Sequence, residues 1–272
     1  MRTSAIGWTD YSGGDLNVVT GCTPVSAGCD HCYGRAIYER FGLDYSKVVC
    51  HEDKLARLAT AGFGRLVRNA AGHEERYSPK RGVPHKAMCF LVDTGDLFHE
   101  RVNYIFVRLV FDVMYARDDV IWQVLTKRPD RMRSFSLWYH KARVPAPHVW
   151  LGVSVEDQRA ADERVPLLLD TPAAVRFVSV EPMLGPVDLY PALCSYRPPS
   201  WGYGPEIDWV ICGAESGPNR RPFDPAWAAD VRDQCREAGV PFYGKQASGL
   251  RPGVPLLLDG VTVHEWPGEG VG

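Results

Sequence analysis

Seven short apolar runs, each four to six residues long and followed by polar residues and a helical pattern, constrain the fold of this 272-residue chain most strongly. They are Leu16–Thr20, Met88–Val92, Ile121–Leu125, Val149–Val153, Val175–Val180, Trp209–Cys212 and Val240–Tyr243. Runs of this length between turn residues suit strands covered on both faces. The intervening helices follow from periodicity. Val102, Ile105, Phe106, Leu109, Val110, Val113 and Met114 recur at helical spacing and form one apolar stripe. Asp224-Pro225 reads as an N-cap with proline in the first turn, Trp227, Val231 and Cys235 share a face, and Gly239 supplies the stop. Tyr33, Ile37 and Phe41 stripe another helix that Gly42 ends, Pro129 opens a short helix through Phe135, and Glu156–Asp170 is expected to be helical but split at Pro166.

Strands alternating with helices imply a parallel sheet with right-handed crossovers. The predicted fold is therefore α/β, a partial or complete parallel (β/α) barrel like a TIM barrel, in a single domain. Residues 62–86 and Tyr190–Pro205 break the rhythm and read as insertions or long loops.

Composition narrows the function. With 45% hydrophobic and 24% charged residues, the chain is neither disordered nor fibrous. Thirty-one Lys and Arg against 33 Asp and Glu leave a charge of −2, which excludes nucleic-acid binding through bulk positive charge but not through a local patch. No apolar run is long enough to span a bilayer, and the start lacks a signal-peptide pattern, so a cytoplasmic protein without a membrane partner is expected. In that reducing compartment, eight cysteines point to metal or redox chemistry before disulfides.

The sharpest motif is Gly21-Cys22-Thr23-Pro24-Val25-Ser26-Ala27-Gly28-Cys29-Asp30-His31-Cys32-Tyr33, with six and then two residues between its cysteines. It follows the first predicted strand and precedes the first helix. Gly21, Pro24 and Gly28 let it curl so that Cys22, Cys29 and Cys32 face one centre. Three thiolates suit a four-iron, four-sulfur (4Fe-4S) cluster with one iron left open. Zinc held by the three cysteines with His31 or a distant ligand is the competing reading, although His31 abuts Cys32 and no second CxxC follows. Cys50, Cys89, Cys194, Cys212 and Cys235 read as structural.

Reactive groups of (β/α) barrels sit after the C-terminal ends of strands. Here those positions carry Asp93-Thr94-Gly95-Asp96, Thr126-Lys127-Arg128, Ser154-Val155-Glu156, Glu181-Pro182, Gly213-Ala214-Glu215-Ser216 and Lys245-Gln246. Lys127, Glu181, Lys245 and Gln246 are the candidates for lining a substrate space. Asp96 reads equally well as a helix cap.

The cysteine triplet after the first strand of such a fold resembles the radical S-adenosylmethionine (SAM) superfamily, whose usual spacing is three and two. More closely, the chain resembles an uncharacterised phage and bacterial family with a three-cysteine loop. Shared motifs include Trp8-Thr9-Asp10, Gly28-Cys29-Asp30-His31-Cys32-Tyr33, Gly95-Asp96-Leu97-Phe98-His99, Leu125-Thr126-Lys127-Arg128-Pro129, Val180-Glu181-Pro182-Met183-Leu184-Gly185-Pro186 and Gly213-Ala214-Glu215-Ser216-Gly217. The likeness covers roughly residues 6–247, and after Gln246 the expected Trp-Gly is missing. The resemblance implies that Cys22, Cys29 and Cys32 hold the cluster, that its open iron binds SAM, and that an external electron donor drives SAM cleavage to a radical that takes a hydrogen atom from the substrate. It further implies that Tyr33 packs beside the cluster, that Gly95 and Asp96 meet the methionine amine, that Ser154 and Glu156 meet the ribose, and that Gly213 and Glu215 lie near the adenine.

Lys127, Arg128, Arg131 and Arg133 form one basic group, Arg220-Arg221 another, and Arg65, Arg68, Arg76, Lys80, Arg81 and Lys86 a third. Such groups suit a phosphate-bearing substrate, and Trp201 and Tyr203 offer stacking surfaces. Together with the phage resemblance, they lead to the expectation of DNA or nucleotide modification or repair in the host cytoplasm. Two other readings remain: a zinc-binding, non-catalytic nucleic-acid-binding or accessory protein, and a metal-independent enzyme using Glu181 and Glu215 as acid and base.

Overall fold

The computed structural model describes residues 3–68, 72, 74–194 and 207–268. Its contacts group into two compact units: Met1–Pro24 with Cys32–Leu151 and Pro172–Ala174, and Val25–His31 with Gly152–Thr171 and Val175–Gly272.

The first unit begins with β1 (Val19–Thr20), α1 (Tyr33–Arg40), β2 (Val49–Cys50) and α2 (Glu52–Thr60). The first expected strand is cut short. Gly13 and Gly14 take φ of 73° and 57°, and Gly14–Leu16 forms a 3-10 turn, so only Val19–Thr20 remains, paired antiparallel with β2. β3 (Arg65–Arg68), β4 (Glu74–Ser78) and β5 (Gly82–Lys86) then form a three-stranded antiparallel sheet where an insertion or long loop was expected. Most of its basic side chains are neutralised in place: Arg76 pairs with Asp119, Lys86 with Glu75 and Arg68 with Glu74.

β6 (Met88–Leu91) and β7 (Ile121–Thr126) are parallel, linked by α3 (Tyr104–Tyr115), and α4 (Pro129–Tyr139) leads to β8 (Val149–Val155). Asn103 caps α3 by accepting from Phe106 N at 2.8 Å. Between α3 and α4, Phe98, Phe111 and Phe135 are buried with ring centroids 4.8–6.4 Å apart. The residues before the cysteine segment run beside β6 through isolated parallel bridges, Tyr11 to Cys89 and Gly21 to Gly95. The expected stripe of α1 is exposed, with Phe41 at 71%, because the side of the helix that packs inward is Gly34 against Tyr45.

In the second unit, β8 continues and is followed by α5 (Gln158–Leu169), β9 (Val175–Val180), α6 (Tyr190–Leu193), β10 (Trp209–Gly213), α7 (Pro225–Ala238) and β11 (Phe242–Gln246). Pro166 does not split α5. One missing N–H is tolerated where Ala161, Val165 and Leu168 bury a common side. Pairs β9–β10 and β10–β11 are parallel, and strands β6 to β11 hydrogen-bond in chain order, as in a partial (β/α) barrel. Gly152 sits against the Phe177 ring, which a Cβ would meet at 2.6 Å. Asp224 caps α7 by accepting from Ala226 N, and Gly239 ends it at φ 69°. Of the expected loop after Tyr190, residues 195–206, including Trp201 and Tyr203, lie outside the described residues.

Candidate metal centre

None of the eight cysteines is in a disulfide, and Cys22, Cys29 and Cys32 are each partly exposed. Among the described residues, no three metal-ligating side chains already form a ligand set. The structure shows instead how stretches of the cysteine segment are held within each unit by a carboxylate–arginine pair.

In the first unit the clamp is Arg128, directly after β7. Its Nη1 donates to Cys22 Sγ at 3.4 Å and Asp96 at 3.1 Å, its Nη2 to Thr23 O at 2.9 Å, and its Nε to Glu100 at 2.9 Å. The Arg128 side chain is 5% exposed and Asp96 6%. Burial opposes the cation, but Asp96, Cys22 and Glu100 outweigh it and hold Arg128 more firmly protonated than usual. Asp96 also accepts from Thr126 Oγ1 at 2.8 Å and Phe98 N at 2.9 Å, so its carboxylate is used in holding the β6 and β7 ends together. His99 completes the clamp: Nε2 lies 2.8 Å from Thr23 Oγ1, while Nδ1 accepts from Arg101 N. Burial, then the Arg128 charge, lowers its proton affinity, which suits a neutral ring donating from Nε2.

Tyr45 holds the same stretch from another side. Its carbonyl accepts from Cys22 N at 2.8 Å, and its hydroxyl lies 3.8 Å from Cys32 Sγ. Gly95 is needed for packing, since a Cβ there would sit 2.8 Å from Val19 O. Tyr33 donates its hydroxyl to Asp93 O while its ring is half exposed. Lys127, partly exposed at the end of β7, makes no side-chain hydrogen bond or ion pair among the described residues.

In the second unit the clamp is Glu215, after β10. It accepts from His31 Nδ1 at 3.0 Å, from Arg221 N at 2.8 Å and from the Arg221 guanidinium, while Arg221 Nη1 reaches Asp30 at 3.3 Å. Burial pushes the carboxyl up, but the Arg221 and His31 hydrogen bonds prevail and hold it at about 2. Asp30 and His31, the residues between Cys29 and Cys32, are thus tied to the end of a strand.

Other assigned residues make hydrogen bonds or ion pairs within the second unit. Glu156 is 1% exposed and is engaged by Arg164 at 2.9 and 3.2 Å, so it is not free to meet a ribose. Ser154 is buried, and its carbonyl accepts from Arg164 at 2.7 Å. Gln246 donates to Ala214 O and accepts from Gly253 N, which ties the loop after β11 to the end of β10. Glu181 and Lys245 form an ion pair about one-fifth exposed, over Gly213, where a Cβ would meet both side chains at 3.4–3.5 Å. This pair is an accessible charged group at the ends of β9 and β11.

The basic groups expected to meet phosphate are largely occupied. Arg128 and Arg221 are bound as above, and Arg131 donates to Phe98 O and Val102 O. Tyr45 carries no local sequence signal, being one aromatic residue in a short polar turn. Arg128 was visible as part of a strand-end motif and a basic group, and Arg221 as charge, but neither as a partner of the cysteine segment.

The donor chemistry fits a soft-metal or iron–sulfur group: three partly exposed thiols outside any disulfide in one short segment, one of them facing a guanidinium. No curated protein and no solved structure matches this chain. One family model does, over residues 3–254, and the chain therefore belongs to the DUF5131 family, described as proteins of unknown function.

Proposed function

We propose that the chain is an iron–sulfur enzyme of the radical SAM type, with Cys22, Cys29 and Cys32 as cluster ligands. The observation that carries the reading is the cysteine segment itself: three thiols outside any disulfide, with the residues around them fastened by Arg128–Asp96 and by Glu215–Arg221. When bound, a 4Fe-4S cluster supplies an electron and an open iron for SAM.

The chain's own residues would prepare that chemistry. Arg128 orients Cys22 and offsets negative charge on its sulfur. Glu215 fixes His31 by accepting from Nδ1, leaving Nε2 as the ring's other polar atom. Glu181 and Lys245 present a carboxylate and an ammonium that polar substrate groups can exchange into. Lys127, partly exposed at the end of β7, offers a cation to the phosphate of a nucleotide or DNA substrate.

Iron and acid-labile sulfide analysis after anaerobic reconstitution tests the reading, followed by assay for reductive release of 5′-deoxyadenosine from SAM. About four irons and four sulfides per chain with SAM cleavage are expected. A colourless protein holding one zinc would replace this reading with the binding-module one. Absence of any gel shift at low salt with single-stranded, duplex or lesion-bearing DNA would overturn DNA as the substrate.

A further inference from the structure

We infer that Tyr45 and Arg128 are positioning residues that hydrogen-bond two of the three sulfur ligands, Tyr45 to Cys32 and Arg128 to Cys22, and thereby raise the reduction potential of the centre. The inference rests on the cluster reading above and names residues outside its ligand set.

Tyr45 is built into this place. Its ring is 9% exposed, and the Cys32 sulfur is the hydrogen-bond partner of its hydroxyl among the described residues. A buried hydroxyl is costly without a partner, so a phenylalanine would serve better if the ring only filled space. Two glycines make room for it. A Cβ on Gly34 would lie 2.6 Å from Tyr45 Oη. A Cβ on Gly21, whose φ is 80°, would lie 2.3 Å from Lys47 O and 3.0 Å from Tyr45 O. Those glycines flank Cys22 and Cys32, so the absent Cβ atoms let the Tyr45 turn press against both cysteines.

The phenol oxygen is held 3.8 Å from the Cys32 sulfur. Once Cys32 is a thiolate, the hydroxyl donates to the sulfur. Arg128 does the same for Cys22 with a full positive charge. Hydrogen bonds and positive charge at cluster sulfurs favour the reduced, more negative state and raise its potential. Cys29 receives no comparable donor among the described residues, so the three ligands differ.

The test is a redox titration, followed by EPR, of the reconstituted full chain and its Tyr45→Phe variant, with iron content measured on the same samples. Tyr45→Phe keeps the ring and is expected to retain wild-type iron. Its equilibrium constant for one-electron reduction should fall about tenfold, or about 59 mV. Gly34→Ala, which displaces the hydroxyl without removing it, should shift the potential in the same direction. Arg128→Lys, which keeps a charge but loses the fork, should shift it less than Arg128→Met. A Tyr45→Phe protein with full iron and the wild-type potential overturns the inference while leaving the cluster reading intact. Wild-type protein that takes up no cluster overturns the proposed function itself, and the inference with it.

Discussion

Replacing Glu215 by glutamine should weaken the protein in a way that depends on pH. The Glu215 side chain is 6% exposed and accepts from Arg221 and His31, which hold its carboxyl at about 2 against an ordinary 4.5. A shift of that size is worth at most about 3 kcal/mol at neutral pH. Arg221 is 26% exposed, so solvent screening reduces the expected value to about 1.5 kcal/mol. The folded-state value is depressed, so the stabilisation is complete well above the unfolded value and is lost as pH falls toward 2. By pH 3.5 about two-fifths of it should be gone. Urea unfolding of wild type and Glu215→Gln from pH 7.5 down to 3.5 measures this directly. The variant should be less stable at pH 7.5, and the gap should narrow by pH 3.5. Equal stability at neutral pH, or a gap that does not change with pH, would refute the argument that the charged carboxylate holds Asp30 and His31.

Three further outcomes follow from the geometry. Asp96→Asn leaves the buried Arg128 without its buried carboxylate, so it should cost about 3 kcal/mol in urea unfolding and speed alkylation of Cys22 in metal-free protein. Gly152→Ala places a Cβ 2.6 Å from the Phe177 ring and should cost about 1–3 kcal/mol, read as a lower thermal midpoint. Lys245→Met breaks a partly exposed pair and should change stability by less than about 1 kcal/mol, while reducing turnover of the eventual substrate far more than iron content.

The parallel core was legible because its strands are continuous apolar runs: Val175–Val180 appears at the expected bounds, and β6, β7, β8 and β10 differ by a residue or two at an end. The first strand was misread because the apolar pattern of Leu16–Thr20 does not report the positive φ of Gly13 and Gly14. Residues 62–86 were recognised as an insertion or long loop, but their strands were not. Their basic residues looked like a solvated loop, yet Arg76 and Lys86 find carboxylates and the backbone pairs as an antiparallel sheet. At the site, the cysteines announced themselves by spacing, whereas the roles of the charged residues did not. Arg128 is 106 residues from Cys22 in the chain, and only folding distinguishes a surface cation from a buried clamp. Glu156 shows the same limit in reverse, since its partner Arg164 lies one helix face away and removes it from the pool of free carboxylates. Tyr45 was invisible because its function depends on two missing Cβ atoms, at Gly21 and Gly34.

The central claim is that Cys22, Cys29 and Cys32 hold an iron–sulfur cluster with an iron open to SAM. The most direct measurement is the EPR spectrum of anaerobically reconstituted protein reduced with dithionite, with and without SAM. The account predicts a reduced four-iron signal that changes when SAM is added and is lost in Cys29→Ala. A wild-type protein without that signal, carrying stoichiometric zinc in its place, would contradict it.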